Sequence, residues 1–466
     1  MADQGARQHL GSYIDPAGQV YERDGKILRG IRPAFAEFYI RLLNTPSIQV
    51  MLGQQLIETV VESDGVEGYP LTLKHRKISP LSFCYEWPPL MLREAALLTL
   101  EIGYRLVDHS LELKDASPWN VLFEGTRPVF VDFTSLIPQD PNLLWVAYEQ
   151  FCRFFLYPLV LSSRIPSKVV RALLLDSING VTDSDLVQLL PAFTPLRLPW
   201  LWGRVYLPRL LLSLVRRWSS DRALATMSAR LHPRAEARRA FFRSLQKNIR
   251  AIPLRSGRSR WAKYYADLET FFRPAEFDRK QAAVAHILDQ CRPPTVVDIG
   301  CNLGGYAILA ARAGARVTAF DTDDDSASLL YKVAHEKQLD ILPLVIDVLN
   351  PSPACGWRAI QFPPSPQRFR SDMAMALALV HHLAITQRQT FERIVPALAD
   401  YADRWLLTEF VPLDDPRSQE LLASNRRDMS WYSLDAFTVA LKREFGRVET
   451  FPSHPDQRTL VLCTRA

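Results

Sequence analysis

The sequence predicts two domains of different class: a doubly wound parallel α/β sheet in the C-terminal half, preceded by a bilobal domain that is first β-rich and then helical. Three observations carry this reading. Short apolar runs alternate with helical spacers from residue 276 onward, the pattern of strand–helix–strand units. The stretch VVDIGCNLGGYA (residues 296–307) leads a buried strand into a glycine-bearing turn that opens a helix, and VTAFDTDDD then ends a second strand in an acid. The chain of 466 residues is also long enough for two or three domains with their own cores.

Taken in order, GQVYERDGKILRGI (residues 18–31) reads as a β-hairpin turning at Asp24-Gly25. A helix starts at Pro33 and runs to about residue 43, since proline suits the first helical position. Strands are expected over 57–61 and 71–78, a long helix over 87–109, and mostly helix from 143 to 248. The polar, glycine-containing LRSGRSR near 255–260 separates the halves, giving domains over 1–250 and 276–466 with a linker over 251–275. Beyond it come a helix (275–290) and strands over 295–299, 317–320, 342–346, 373–380 and 405–410. A closing antiparallel hairpin is expected over 448–451 and 459–463.

Composition excludes several classes. A hydrophobic content of 48% and 23% charged residues are those of a globular chain. The six cysteines are scattered without a C-x-x-C pair, which argues against a zinc site or disulfide framework and fits a reducing, cytoplasmic setting. The opening MADQGARQHLGSY has no apolar core of a secretory signal. Apolar stretches at 143–161 and 200–215 are broken by Glu149, Gln150 and Arg153, and by Arg204, Pro208 and Arg209, so both read as buried helices and not as membrane spans. The net charge of +6 concentrates in arginines between 204 and 260. These read as the solvated face of amphipathic helices, whose stems cover apolar surface, in preference to a footprint for nucleic acid or an anionic glycan or lipid.

The glycine turn indicates the ligand. A dinucleotide fingerprint wants G-x-G-x-x-G, whereas this turn has Gly300, Gly304 and Gly305 with Cys301 and Asn302 between them. Asp298 within it would repel a pyrophosphate but attract an ammonium, so a cation-bearing nucleoside such as S-adenosylmethionine (SAM) fits better than NAD. Asp298 and the 300–304 turn would face its methionine moiety. Asp321, at the end of the second strand, would take the ribose hydroxyls, and Asp347, after the third, the adenine amino group. Asp372 opens the fourth strand.

Residues 276–466 thus resemble a class I SAM-dependent methyltransferase, with a Rossmann-like sheet. More narrowly, ILPLVIDVLNPSPACGW, LALVHHLAI, TEFVPLDDP and NRRDM are similar to the methyltransferases grouped with rhizobial host-specificity nodulation proteins. The resemblance implies that Asp298, Gly300, Gly304, Asp321 and Asp347 hold SAM, with Asn302 standing where a second glycine is common. It also implies a glycan or glycolipid hydroxyl as acceptor. Candidate bases are His381 and His382 at the end of the fourth strand and Glu409 after the fifth, with Asp414 and Asp415 flanking the same cleft. A metal site from Asp372, His382 and Asp414 is an alternative.

A second motif, LELKDASPWNVLFEGTRPVFVDFTSL (residues 111–136), has the spacing of a kinase catalytic and metal-binding loop. Asp115 would be the hydroxyl-activating base, with Asn120 and Asp132 holding Mg²⁺ of ATP. No glycine-rich loop precedes it, and Lys26 or Arg29, paired with Glu37, would have to serve as the phosphate-gripping cation. Three functions are compatible with this: a methyltransferase whose kinase-like domain positions the acceptor, a bifunctional kinase–methyltransferase acting on a carbohydrate, and a two-domain binding protein for SAM or ATP.

Overall fold

The computed structural model describes residues 6–9, 15–190, 201, 233–254, 268–424 and 428–465. Most of the arginine-rich run, the apolar stretch after Leu201, the 255–260 separator and the first three residues of NRRDM lie outside the described residues. Contacts divide the chain into two units: Met1–Phe123 with Pro128–Arg255, and Glu124–Arg127 with Ser256–Ala466.

In the first unit the expected hairpin forms from strands Gly18–Arg23 and Lys26–Ile31. Asp24 and Gly25 both take positive φ (50° and 74°), as a tight two-residue hairpin turn requires. These strands join Arg7–Gln8, Leu71–His75 and Thr59–Val61 in a five-stranded antiparallel sheet. The helix Pro33–Leu43 follows the hairpin directly, with proline in its first turn. The long helix Pro89–Leu106 buries an apolar face of Met91, Leu92, Ala95, Ala96, Leu100 and Leu106, at the three- and four-residue spacings of one helix side. It packs against the helix Ala235–Ala251. Of the apolar stretch expected as buried helix over 143–161, residues 148–162 are helical and mostly buried, with a π-helical stretch at Cys152–Leu156, whereas Leu143, Leu144 and Val146 precede the helix and are exposed. No helix among the described residues is long and apolar enough to cross a membrane.

The second unit holds a seven-stranded sheet. Its strands are β1 (Thr295–Ile299), β2 (Arg316–Asp321), β3 (Ile341–Val345), β4 (Ser371–Ala376), β5 (Ala402–Phe410), β6 (Arg447–Pro452) and β7 (Thr459–Thr464). The spatial order is 3-2-1-4-5-7-6. All strands run parallel except β7, which lies antiparallel between β5 and β6. The C-terminal hairpin is therefore present, but its second strand is internal and β6 forms the edge. Around the sheet pack α1 (Arg279–Cys291), α2 (Gly305–Arg312), α3 (Asp324–Glu336), α4 (Phe391–Ala399) and α5 (Leu434–Glu444). Strand β1 and strand β3 are almost wholly buried, as near-continuous apolar runs in a helix-covered parallel sheet must be. The strand order reverses between β1 and β4, and ligands of open α/β sheets bind beyond the carboxyl ends at such a switch point.

Several elements differ from their expected extent, among them the strand expected over 71–78, which ends at His75, and β4. Strand β4 stops at Ala376 and not at 380. Ala378 takes φ 51° and breaks the extended run, so the two histidines follow a turn and open a π-helical segment, His382–Thr386. Such π segments often mark functional sites.

Candidate active site

At the switch point β1 delivers Asp298 and the 300–304 turn delivers backbone. Gly300 and Gly304 have φ of 70° and 81°, where a side chain is strained. Packing forbids one as well: a Cβ on Gly304 would stand 2.5 Å from Leu330, and one on Gly305 would stand 2.4 Å from the Phe271 ring. Asn302 also takes positive φ (50°), a conformation asparagine tolerates better than most residues. That accounts for asparagine where a second glycine was expected. The Gly300 and Cys301 N–H groups donate to Phe320 O, which ties the turn to β2.

Asp298 is 2% exposed, and its Oδ2 has no hydrogen-bond partner among the described residues. Burial pushes its carboxyl up to about 7; the Ala307 N–H and the Lys280 charge oppose this, and Asp321 adds to it. A buried oxygen without a donor is costly unless something fills the gap. The ammonium of an amino-acid-bearing nucleoside would supply a charge-assisted donor. The residues present therefore fit the expected cofactor.

Asp321 ends β2 and accepts the Asn302 N–H (2.8 Å) on Oδ2 and the Asp323 N–H (3.0 Å) on Oδ1. Burial raises its carboxyl, against those N–H groups. Asp323 caps α3 through Ser326, while Asp324 and Asp325 fill its first turn, where the dipole favours acids. Asp347 follows β3, and its Oδ1 accepts the Leu349 N–H at 2.9 Å, closing its own turn. Asp298, Asp321 and Asp347 thus stand at the carboxyl ends of three adjacent strands.

On the other side of the switch, His381 is 2% exposed and its Nδ1 has no partner among the described residues. Burial, then the neighbouring His382, Arg458 and Lys280, lowers it to about 3 although Asp415 pulls the other way, so it is neutral at physiological pH. His382, with its ring centroid 4.3 Å away, is lowered by burial and by Arg417 and Arg458. Neither imidazole carries a charge near neutrality, and a neutral imidazole can accept a proton.

Glu409 departs from its expected role. It is fully buried at the end of β5, with Oε2 paired to Lys280 Nζ at 2.7 Å and Oε1 accepting from Ser453 Oγ at 2.5 Å. Both oxygens are occupied, so it is a clamped counter-ion and not an open base. Asp415, also fully buried, receives Arg458 through Nε (2.8 Å) and Nη2 (3.1 Å). Burial raises Asp415, but Arg458 and the Arg417 N–H outweigh that and hold it low. The alternative metal set does not assemble. Asp372 is the second residue of β4, hydrogen-bonded to Thr295 at the start of β1, at the opposite end of the strand from the segment that carries His382. Among the described residues no group of three or more His, Cys, Asp or Glu could hold a metal ion.

In the first unit, Asp115, Asn120 and Asp132 lie around the short strands 111–113, 121–124 and 127–130, but the carboxylate expected to bind Mg²⁺ is engaged. Arg29 pairs with Asp132 (3.0 Å) and Asp15 (2.8 Å) and donates to Thr134. Lys114 adds a second cation to Asp15 at 2.9 Å. Glu37 is surface-exposed and pairs with Arg41, and Lys26 pairs with Glu62, so Glu37 forms the expected cation–acid pair with neither Lys26 nor Arg29. Burial and the nearby Asp132 raise Asp115.

Sequence spacing missed Lys280, Ser453, Arg458 and Tyr306. A lysine in a helix's first turn was the one available signal, since the helix dipole disfavours a cation there.

No family model matches the chain. The chain is similar to the nodulation protein NoeA of Rhizobium meliloti (strain 1021), at 29% identity over 472 residues, covering 98% of this chain and 96% of that protein. Solved methyltransferases resemble part of it. The magnesium protoporphyrin IX methyltransferase of Synechocystis PCC 6803, crystallised with S-adenosylhomocysteine, matches 45% of this chain and 88% of its own at 16% identity and a TM-score of 0.30. The bifunctional kinase-methyltransferase WbdD matches 43% of this chain and 39% of its own at 16% identity and a TM-score of 0.27.

Proposed function

We propose that the second unit binds SAM and transfers its methyl group to an acceptor hydroxyl, the acceptor being a glycan or glycolipid. The observation that carries the reading is the buried Asp298 Oδ2, without a hydrogen-bond partner among the described residues, beside a glycine turn at the switch point. SAM supplies an electrophilic methyl group; the protein holds it, aligns the acceptor and takes up a proton. Asp298 receives the ammonium, while the backbone of Gly300, Asn302 and Gly304 lets the methionine moiety approach. Asp321 takes the ribose hydroxyls, and Asp347 receives the adenine amino group. His381 and His382 are the candidate bases, side by side beyond β4, with the Nδ1 of His381 unengaged among the described residues. Glu409, held by Lys280 and Ser453, is not the base in this reading.

The acceptor class extends the likeness to nodulation-type methyltransferases. In this reading the Asp115, Asn120 and Asp132 constellation performs no phosphoryl transfer, because Arg29 neutralises Asp132 where Mg²⁺ would be needed. Calorimetric titration with SAM, alongside Asp298→Ala and Asp321→Ala, tests the cofactor site. Radiolabelled methyl transfer into glycan and glycolipid fractions tests the acceptor. Absence of SAM binding by the native chain sinks the reading; labelling confined to protein or nucleic acid sinks the acceptor class.

A further inference from the structure

The long helix Pro89–Leu106 carries more on its outer side than packing requires. Opposite the buried face, Arg93, Leu97, Glu101 and Arg105 recur at four-residue intervals and form one stripe, with Glu94 and Leu98 beside it. That stripe lines a groove of about 650 Å³, within the range of roughly 300–1,000 Å³ typical of small-ligand clefts. Gln55, Pro128 and Arg250 complete the lining among the described residues, Arg250 from the last turn of the helix Ala235–Ala251. All of these residues belong to the first unit.

The polar groups of the groove are unevenly satisfied. Glu101 pairs with Arg105 at 2.8 Å and accepts from Gln246 Nε2 at 3.1 Å, and Arg93 lies 3.6 Å from Glu94. Arg250 is exposed and forms no ion pair among the described residues. Gln55 Oε1 is buried and has no hydrogen-bond partner among them. A buried amide oxygen calls for a donor such as a hydroxyl, and a spare guanidinium calls for an anion, best a planar carboxylate that it can fork. Leu97, Leu98 and Pro128 offer apolar surface to C–H groups. A saccharide bearing a carboxylate presents all three features. A string of phosphates does not suit the groove, because Glu94 and Glu101 would repel it. No aromatic ring among the described lining residues gives a nucleobase a stacking platform.

We propose that this groove binds a carboxylate-bearing oligosaccharide, with Arg250 on the carboxylate and Gln55 Oε1 accepting from a sugar hydroxyl. The inference deepens the glycan class of acceptor proposed above and rests on it.

The test is calorimetric titration of the full chain, without SAM, with short oligosaccharides of galacturonate, alginate and hyaluronate, each beside its carboxyl-reduced form. At least one acidic member should bind, and its reduced form should bind about tenfold more weakly, as loss of a charge-assisted contact implies. Arg250→Ala, at an exposed position, should leave the melting curve unchanged and abolish that tenfold preference. Arg41→Ala, which removes an exposed arginine elsewhere on the first unit, should leave the preference intact. Failure of every acidic member to bind, equal binding of the reduced forms, or a preference that survives Arg250→Ala overturns the inference. A trinucleotide that binds as tightly as the acidic saccharide overturns it in favour of nucleic acid. Because SAM is absent from these titrations, their failure leaves the SAM site standing; labelled methyl groups found only in protein or nucleic acid overturn the acceptor class instead.

Discussion

Asp298 stands where stability and binding conflict. Its carboxyl, ordinarily near 4, is raised to about 7 by burial. A folded-state value above the unfolded one means the folded chain holds the extra proton: the contribution to stability is fully present below about pH 4 and is lost as pH rises through about 7. Asp298→Asn removes that titration. The variant should melt higher than the native protein at pH 8, little differently at pH 4, and bind SAM at least a hundredfold more weakly, as loss of a charge-assisted buried contact implies. Melting curves at both pH values with matched titrations check it; an Asn variant that binds SAM as the native chain does removes Asp298 from the site. His381 differs in kind. Already lowered to about 3, it stays neutral across the working range, so the pH dependence of methyl transfer between 5.5 and 8.5 should follow Asp298. His381→Ala should slow transfer by about 10²–10⁴-fold and change SAM affinity less than twofold. Single-turnover rates at saturating SAM separate the two effects.

At the scale of elements, the turn from β1 to α2 is held open by backbone that only glycine adopts without strain. Gly304→Ala combines positive φ with a Cβ 2.5 Å from both Leu330 methyls, so it should cost about 1–3 kcal/mol in urea unfolding, and SAM binding should weaken with it. Native stability in the Gly304→Ala variant would mean that α3, which carries Leu330, yields more readily than a close-packed core allows. This turn was legible in the sequence because every part of it is local: an apolar strand, glycines at fixed offsets, an acid twenty-odd residues on. The end of β4 was not. LALVHH continues the apolar pattern of MAMA without a break, and nothing in the residue type of Ala378 announces its φ of 51°. The Lys280–Glu409 pair was hidden for another reason, since its partners stand 129 residues apart and meet only once β5 lies two strands from β1. Arg29 and Asp132 are separated similarly. The motif spacing located the acid; only the fold placed an arginine on it.

For the whole molecule, the two units make opposite predictions about nucleosides. A ligand that binds the folded chain alone stabilises it by RT ln(1 + [L]/Kd), about 2.7 kcal/mol at a hundred times Kd. SAM at that excess should shift the thermal unfolding of the full chain upward, and more at pH 8 than at pH 6, because at the lower pH most Asp298 must first give up a proton. ATP with Mg²⁺ should leave the same trace unmoved. For Mg²⁺ to reach Asp132, the Arg29 guanidinium must withdraw from Asp132 while it remains tied to Asp15, and parting a buried pair in that way costs about 3–5 kcal/mol. That cost raises the Kd for ATP-Mg²⁺ by about 10²–10⁴-fold, so a concentration that would saturate an unobstructed site leaves this one largely empty. Arg29→Lys sharpens the comparison, since a lysine lacks the planar fork that lets one side chain hold both acids. If ATP-Mg²⁺ stabilises the native chain as SAM does, Arg29 is a cation that moves aside for a nucleotide, and the bifunctional kinase–methyltransferase reading replaces the one proposed.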